Sequence, residues 1–310
     1  MRCLCCGKII EEKKENSWHL DCIKKFFGTY KLPSIDLSSS KDELLKVGEN
    51  YVLRNDSVTG VQTKLSLHLS KEKDEYRLTL VGYPAGYILK PETKEYSNIA
   101  RAEHLVMSMA NECLIKTPLH ALIKLKDDSF AYITKRIDRR KKQKIHMEDF
   151  CQLSNRLTED KYHSSYEKVA KIIEKYSSIK ELDKAELFYR LLFCFVTCNS
   201  DMHLKNFSLI EENDKVYLSP FYDLLPVNIL INDNEEVALT LNSKKRNLRK
   251  NDFIKYGENI GLDIKTINRY ISKILNYELV FIRMINESLL DNEYKEKFII
   301  LMKERFSRLK

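Results

Sequence analysis

The sequence predicts an α+β chain of two lobes, a small sheet-rich one ahead of a larger helical one, with a short metal-binding segment in front of both. Three observations predict it. The short runs KLSLHL, YRLTLV and YILK crowd between Lys64 and Lys90, and one helix-periodic stretch follows them. Beyond Asp138 the chain has helical spacing to its end, with a single hairpin. Four of the eight cysteines lie within the first 22 residues. A length of 310 residues agrees, since about 150 residues per compact unit is usual. The boundaries that follow are 1–28 for a zinc-knuckle-like segment, 29–140 for the sheet-rich lobe and 141–310 for the helical lobe.

Taken in order, residues 1–28 offer Cys3 and Cys6 at C-x2-C spacing, with Gly7 behind them to let the backbone turn back over a metal. His19 and Cys22 follow at the start of a helix signal. Two pairs of soft or borderline ligands suit a tetrahedral structural Zn2+ site, which has no open position for chemistry. The polar residues between the pairs cannot build a core of their own. Cys5 leaves the ligand choice within C-x-C-C open, and the glycine after Cys6 favours Cys3 and Cys6. Cys113, Cys151, Cys194 and Cys198 sit in apolar helical patterns and read as buried thiols. A linker containing LPS and SSS leads to a short helix signal at Lys41 to Val47. The strands alternate and are punctuated by turns. The helix expected from Tyr96 to Asn111 has apolar residues at 99, 102, 105, 106 and 109. AYITKRID, Ala131 to Asp138, is a further strand, and FSLIEENDKVYLS, Phe207 to Ser219, is the hairpin. The amphipathic tail after Asp263 is expected to pack. The chain has no internal repeat.

Composition narrows the class. With 43% hydrophobic and 32% charged residues the chain can bury a core and stay dissolved. No apolar run approaches the roughly 18 residues of a membrane span. MRCLCCGKII followed by EEKKE is not a signal-peptide pattern, so a cytoplasmic protein without membrane contact is expected. The net charge of +8 is partly gathered in KRIDRRKKQK and KKRNLRK. Such runs suit polyanions, although either alone also serves as a solvated face.

A small sheet with one helix, followed by a helical half with one hairpin, is the arrangement of a bilobal protein-kinase-like fold, which binds nucleotide in the cleft between lobes. The stretch CNSDMHLKNFSLI carries the chemistry such a fold needs. Asp201 and Asn206 stand five apart, the separation used in kinase catalytic loops to orient the nucleophile and hold a metal. Lys205 could neutralise the transferring phosphoryl group, and His203 could brace the loop. Asp223 follows the hairpin seventeen residues after Asn206, where kinases place their main Mg2+ ligand. Hard oxygen donors suit that ion. Alone, Asp201 would read as a helix cap and Asp223 as a turn residue; the ordered set does not. Lys90 ends a strand, and Glu103 lies thirteen residues on in the following helix, so the two can form the pair that steadies a cation over ATP phosphates. The loop SVTGVQTK has one backbone-freeing glycine, Gly60; it lacks G-x-G-x-x-G and is no Walker loop.

Together, SVTGVQTKLSL, YILKP, TKRIDR, MEDFCQL, NSDMHLKNFSL and LSPFYDLLP resemble, in order, the HipA-like Ser/Thr kinases, toxins of bacterial toxin–antitoxin systems. The matching blocks run from Ser57 to Val227, and CxxC…HxxC before KKFFG resembles the start of a short subfamily. The resemblance implies Asp201 as the catalytic Asp, Asn206 and Asp223 on Mg2+, and Lys90 on ATP. It also implies a phosphate-binding S-x-x-G-x-Q-x-K loop containing Gly60, Gln62 and Lys64. Autophosphorylation would fall on Ser57 or Thr59 of that loop, silencing it because about −1.5 to −2 of charge cannot share a pocket with ATP phosphates. It further implies a translation-protein substrate such as an aminoacyl-tRNA synthetase, a HipB-like DNA-binding antitoxin, and DNA contact only through that partner. Because only residues 1–56 precede the serine loop, the length resembles the three-component type, in which a small HipS-like protein supplies the missing subdomain. The turn before Asp201 reads CNSD where the family commonly has a Gly- or Asn-rich turn. Two other readings compete: a small-molecule phosphotransferase, which would not need the Ser57 loop, and an inactive kinase fold serving as a nucleic-acid-associated module. The aromatic residues do not interleave with the basic runs as stacking platforms would.

Overall fold

The computed structural model describes residues 1–11, 17–35, 64–72, 75–80, 85–93, 95–140, 143–231 and 233–310. They fall into two compact units, Met1–His104 with Pro118–Gln143, and Leu105–Thr117 with Lys144–Lys310. The helix expected at 41–47 lies outside the described residues.

The first unit is built on a six-stranded sheet. Its strands are β1 (Ser34–Ile35), β2 (Leu65–Glu72), β3 (Glu75–Leu80), β4 (Tyr87–Pro91), β5 (His120–Lys124) and β6 (Phe130–Lys135), in the order β1-β3-β2-β4-β6-β5. All neighbours are antiparallel except β1 with β3. Alternation works as expected for a pleated strand: Leu65 and Leu67 are buried, while His68 faces out. Strand β5 was not foreseen, since HALIK is a short apolar run that suits a strand or a buried helix equally. Strand β6 ends at Lys135 rather than Asp138, because Arg136 turns to bind both oxygens of Asp138.

The segment 1–28, expected as a separate body, is counted within this unit. Its apolar residues are too few to enclose themselves, so they borrow partners from the sheet. Helix α1 (Leu20–Phe27) buries Ile23, Phe26 and Phe27 and ends at Gly28, whose φ of 77° gives the left-handed cap. Phe26 stacks on Tyr87 at 5.8 Å, and Trp18 meets Phe26 edge-on at 5.4 Å. Tyr87 donates to Phe26 O at 3.3 Å, and Leu122 N donates to Leu4 O at 2.8 Å on the edge strand β5.

Helix α2 (Ile99–Glu112) carries the division between the units, after His104. Its end closes with Ile115 N donating to Ala110 O and Leu114 N to Asn111 O, around a left-handed Leu114 at φ 63°.

The second unit holds a three-stranded sheet, β9-β8-β7, of β7 (Met147–Asp149), β8 (Ser208–Glu212) and β9 (Lys215–Leu218), and a set of helices. At its centre is α5 (Lys180–Val196), in which every residue from Leu187 to Val196 is buried. The LLFCFV run is therefore a core helix, and it ends at Val196, one four-residue turn before Asp201. Cys113, Cys151, Cys194 and Cys198 are all buried. Among the described residues, no helix is long and apolar enough to cross a membrane.

Candidate functional site

In the first unit, β4 brings Lys90 inward and α2 turns Glu103 toward the sheet. The Lys90 Nζ to Glu103 Oε1 distance is 2.6 Å, and the side chains are 6% and 1% exposed. Lys90 lies opposite Tyr132 in the β4–β6 register, with its ammonium 5.4 Å from that ring. A buried pair contributes little to stability against apolar residues of equal volume, so its placement calls for another reason. Lys64 is exposed, one residue before β2. Ser57, Thr59, Gly60 and Gln62 lie outside the described residues.

In the second unit, the end of α5 sets the loop that carries Asp201. Asn199 N donates to Cys194 O at 2.9 Å and Cys198 N to Phe195 O at 3.3 Å, with Cys198 left-handed at φ 60°. This is the Schellman closure, usually made by glycine. It accounts for the CNSD turn: Cys198 takes the left-handed position, and Asn199 Oδ1 then accepts from Asp201 N at 3.1 Å. Ser200 donates to Asp233 at 3.1 Å, and Asn228 Nδ2 reaches Ser200 at 3.3 Å and Glu235 O at 2.8 Å. The turn is thus bound to the segment that follows Asp223.

Asp201 and Asn206 come together across the loop. Asn206 Nδ2 donates to Asp201 O at 2.8 Å, so the amide nitrogen is committed and the amide oxygen is the atom suited to a cation. His203 is buried; its N–H donates to Asp201 O at 2.9 Å, and its Nε2 stands 4.0 Å from Asp201 Oδ1. Lys205 Nζ is engaged by Asp149 Oδ2 at 2.8 Å. Asp149 also caps the short helix α3 (Phe150–Leu153) in a box with Gln152. Asp223 is half-buried with φ 60°, a left-handed conformation that aspartate tolerates. Its neighbour Tyr222 donates to Lys205 O at 3.1 Å and shares a 2.6 Å hydrogen bond with Ser208. That hydroxyl ties the segment bearing Asp223 to the Asp201–Asn206 loop.

Tyr162, Asp149 and Tyr222 were not singled out from the sequence. Tyr162 donates to Asp201 Oδ1 at 2.5 Å. Asp149 was within reach, because D-x-x-Q before an apolar run resembles a capping box. Nothing local marks Tyr162.

The cysteine cluster belongs to the first unit. One ligand atom each from Cys3, Cys6, His19 and Cys22 lies within 4.8 Å of the other three. Gly7, at φ 71°, donates to Cys3 O at 2.9 Å, and His19 N donates to Cys3 Sγ at 3.4 Å. Cys5 is not among these four; its Sγ lies 4.0 Å from His120 O and is also within hydrogen-bonding reach of Cys22. Burial works to raise the Cys3 thiol, yet hydrogen bonds from Cys6, His19 and Cys5 hold it below its usual range. Cys5 is pushed up to about 12, by burial first and then by the Cys3 charge. Burial, then the charges of Cys5 and Cys3, raise Cys22. Sulfurs crowded this way fit a soft cation, which favours the thiolate form of its ligands.

The fold is kinase-like. It aligns with HipA of Shewanella oneidensis MR-1, solved in complex with HipB and operator DNA, at a TM-score of 0.69 and 18% identity over 87% of this chain and 71% of that one. It also aligns with the Helicobacter pylori proinflammatory kinase CtkA at a TM-score of 0.55 and 15% identity, over 78% of this chain and 93% of that one. In sequence, a Haemophilus influenzae protein named "Putative kinase" is 31% identical over 242 residues, 68% of this chain and 69% of its own length. "Putative kinase Y4dM" of Sinorhizobium fredii is 29% identical over 204 residues, 61% of this chain and 49% of its own. The family model of the HipA-like C-terminal domain matches residues 56–278, and the chain belongs to that family.

Proposed function

We propose that the chain is an ATP- and Mg2+-dependent protein Ser/Thr kinase of the HipA-like toxin type. The observation that carries the reading is the buried Lys90–Glu103 pair, a fixed cation of the kind that meets ATP phosphates. Asn206 and Asp223 would hold Mg2+, which when bound neutralises phosphate charge. Asp201 accepts a hydrogen bond from the attacking hydroxyl, and the Asn199, Asn206 and His203 contacts hold its backbone still. Lys205, paired with Asp149, keeps the loop anchored beside the phosphoryl group. Three relatives carrying kinase names, 24–31% identical, support the activity, and the HipA–HipB–DNA complex supports an antitoxin partner for this chain. A cytoplasmic location, an aminoacyl-tRNA synthetase or other translation protein as substrate, a HipS-like helper, and self-modification of Ser57 or Thr59 complete the proposal. Cys3, Cys6, His19 and Cys22 would hold a structural Zn2+.

The test is intact mass after incubation with Mg2+-ATP, starting from dephosphorylated chain, beside Asp201→Ala and the double variant Ser57→Ala/Thr59→Ala. A phosphate-sized gain in the native chain, lost in both variants, is expected. A native chain that gains nothing and consumes no ATP with any acceptor protein refutes the kinase reading and returns the nucleic-acid-associated module. Transfer to small molecules alone returns the small-molecule phosphotransferase.

A further inference from the structure

We propose that Tyr162 is a positioning residue for phosphoryl transfer: its hydroxyl holds the Asp201 carboxylate in the orientation that receives the acceptor hydroxyl. This rests on the kinase reading of Asp201.

Tyr162 lies between the 3-10 turn Thr158–Asp160 and helix α4 (Tyr166–Tyr176). It is 39% exposed, so it is not a core tyrosine that happens to reach a carboxylate. Its single O–H is committed to Asp201 Oδ1, 39 residues away in sequence. The ring stands edge-on to His203, with centroids 4.9 Å apart and planes at 85°. The backbone on either side is fastened to the catalytic loop. Leu204 N donates to Lys161 O at 3.2 Å, and the Tyr166 hydroxyl donates to Met202 O at 3.2 Å. His163 O accepts from Arg156, and His163 N donates to Asp160 O at 2.9 Å. Five contacts therefore converge to hold one phenol against one carboxylate oxygen.

The consequence is geometric. A carboxylate on a loop can rotate about its last torsion, because such terminal torsions are broad. A charge-assisted donor at Oδ1 removes that freedom. With the plane fixed, an acceptor hydroxyl meets the carboxylate in one pose, and small misplacements of a nucleophile are costly in rate. Water needs no such fixed pose, so loss of Tyr162 should cost transfer to a hydroxyl more than hydrolysis of ATP.

The experiment compares the native chain, Tyr162→Phe and Asp201→Ala, all dephosphorylated, with Mg2+-ATP. It reads the initial rate of phosphate incorporation into the chain, the rate of ADP formation, and the KM for ATP. Phe keeps the ring against His203 and removes only the hydroxyl. For Tyr162→Phe we expect incorporation to fall about tenfold or more, the loss typical of a hydrogen bond to a charged group. The KM for ATP should stay unchanged and the phosphate incorporated per ADP should fall. Incorporation at or above the native rate overturns the proposal, since the contact would then be neutral or obstructive. An equal fall in both rates with a raised KM also overturns it, because that is a structural defect. If Asp201→Ala itself incorporates normally, the kinase reading of Asp201 fails and the inference falls with it; if it is inactive while Tyr162→Phe is normal, only the inference fails.

Discussion

Lys90 and Glu103 permit a decisive separation of stability from function. Replacing Lys90 by Met leaves a carboxylate that is 1% exposed without its 2.6 Å cation. Removing one member of a buried pair costs about 3–5 kcal/mol, a large part of the roughly 5–15 kcal/mol that a domain holds in reserve. At about 2–4 °C per kcal/mol, the unfolding midpoint should drop by roughly 10 °C. Glu103→Leu alone should cost a similar amount, through an ammonium that is 6% exposed. The double variant Lys90→Met/Glu103→Leu puts apolar side chains of similar volume in a site already lined by Tyr132 and the sheet. Such replacements are neutral or stabilising by about 1–4 kcal/mol, so the double variant should melt at or above the native temperature. It should nonetheless lose Mg2+-ADP binding, measured by titration calorimetry, and phosphate incorporation. The assay is a four-member cycle of thermal melts read beside nucleotide affinity. A double variant as unstable as the sum of the singles would refute the argument, because the pair would then be structural. So would one that melts normally and still binds nucleotide as the native chain does.

Two further outcomes follow from the same structure. Purified chain should carry one Zn2+ by metal analysis; Cys3→Ser or Cys22→Ser should abolish it and lower the melting temperature of the first unit, whereas Cys5→Ser should retain the metal, because Cys5 is not one of the four side chains whose ligand atoms converge. Leu114→Gly should raise stability by about 1 kcal/mol, read by urea unfolding, because the left-handed conformation at φ 63° is strained for leucine and the side chain is 78% exposed, leaving little packing to lose.

What could be read from the chain alone was what the chain keeps local or repeats. Lys90 and Glu103 are thirteen residues apart, one at a strand end and the other on the partly apolar next helix, so the kinase pattern of a strand lysine held by a helix acid was enough to suggest their meeting. Asp201 and Asn206 share one loop. The alternation of Leu65 and Leu67 fixed one face of β2. Other features depend on contacts that no spacing encodes. Tyr162 meets Asp201 across 39 residues, and Lys205 meets Asp149 across 56; each is an ordinary surface-type residue in its own neighbourhood. Strand β5 was hidden because five apolar-rich residues fit two conformations and the sheet decides between them. The boundary at residue 28 followed composition, whereas the structure follows contact: Leu4 lies on β5, and Phe26 lies on Tyr87.

The CNSD turn shows how this helix end closes without glycine. A helix buried on all sides, as α5 is from Leu187 onward, must end without leaving its last carbonyls unsatisfied. The Schellman closure meets that need but demands one left-handed residue, at a cost of about 1 kcal/mol when it is not glycine. Cys198 takes that position and is fully buried, so the side chain that makes the conformation strained also fills core space that glycine would leave empty. Asn199 and Ser200 then have their side chains free for Asp201 N and Asp233. A glycine-rich turn would reach the same conformation with less strain but without those two hydrogen bonds. The polar residues at this edge of the core are thus part of what holds Asp201 rigid, and rigidity is the property a positioned carboxylate needs.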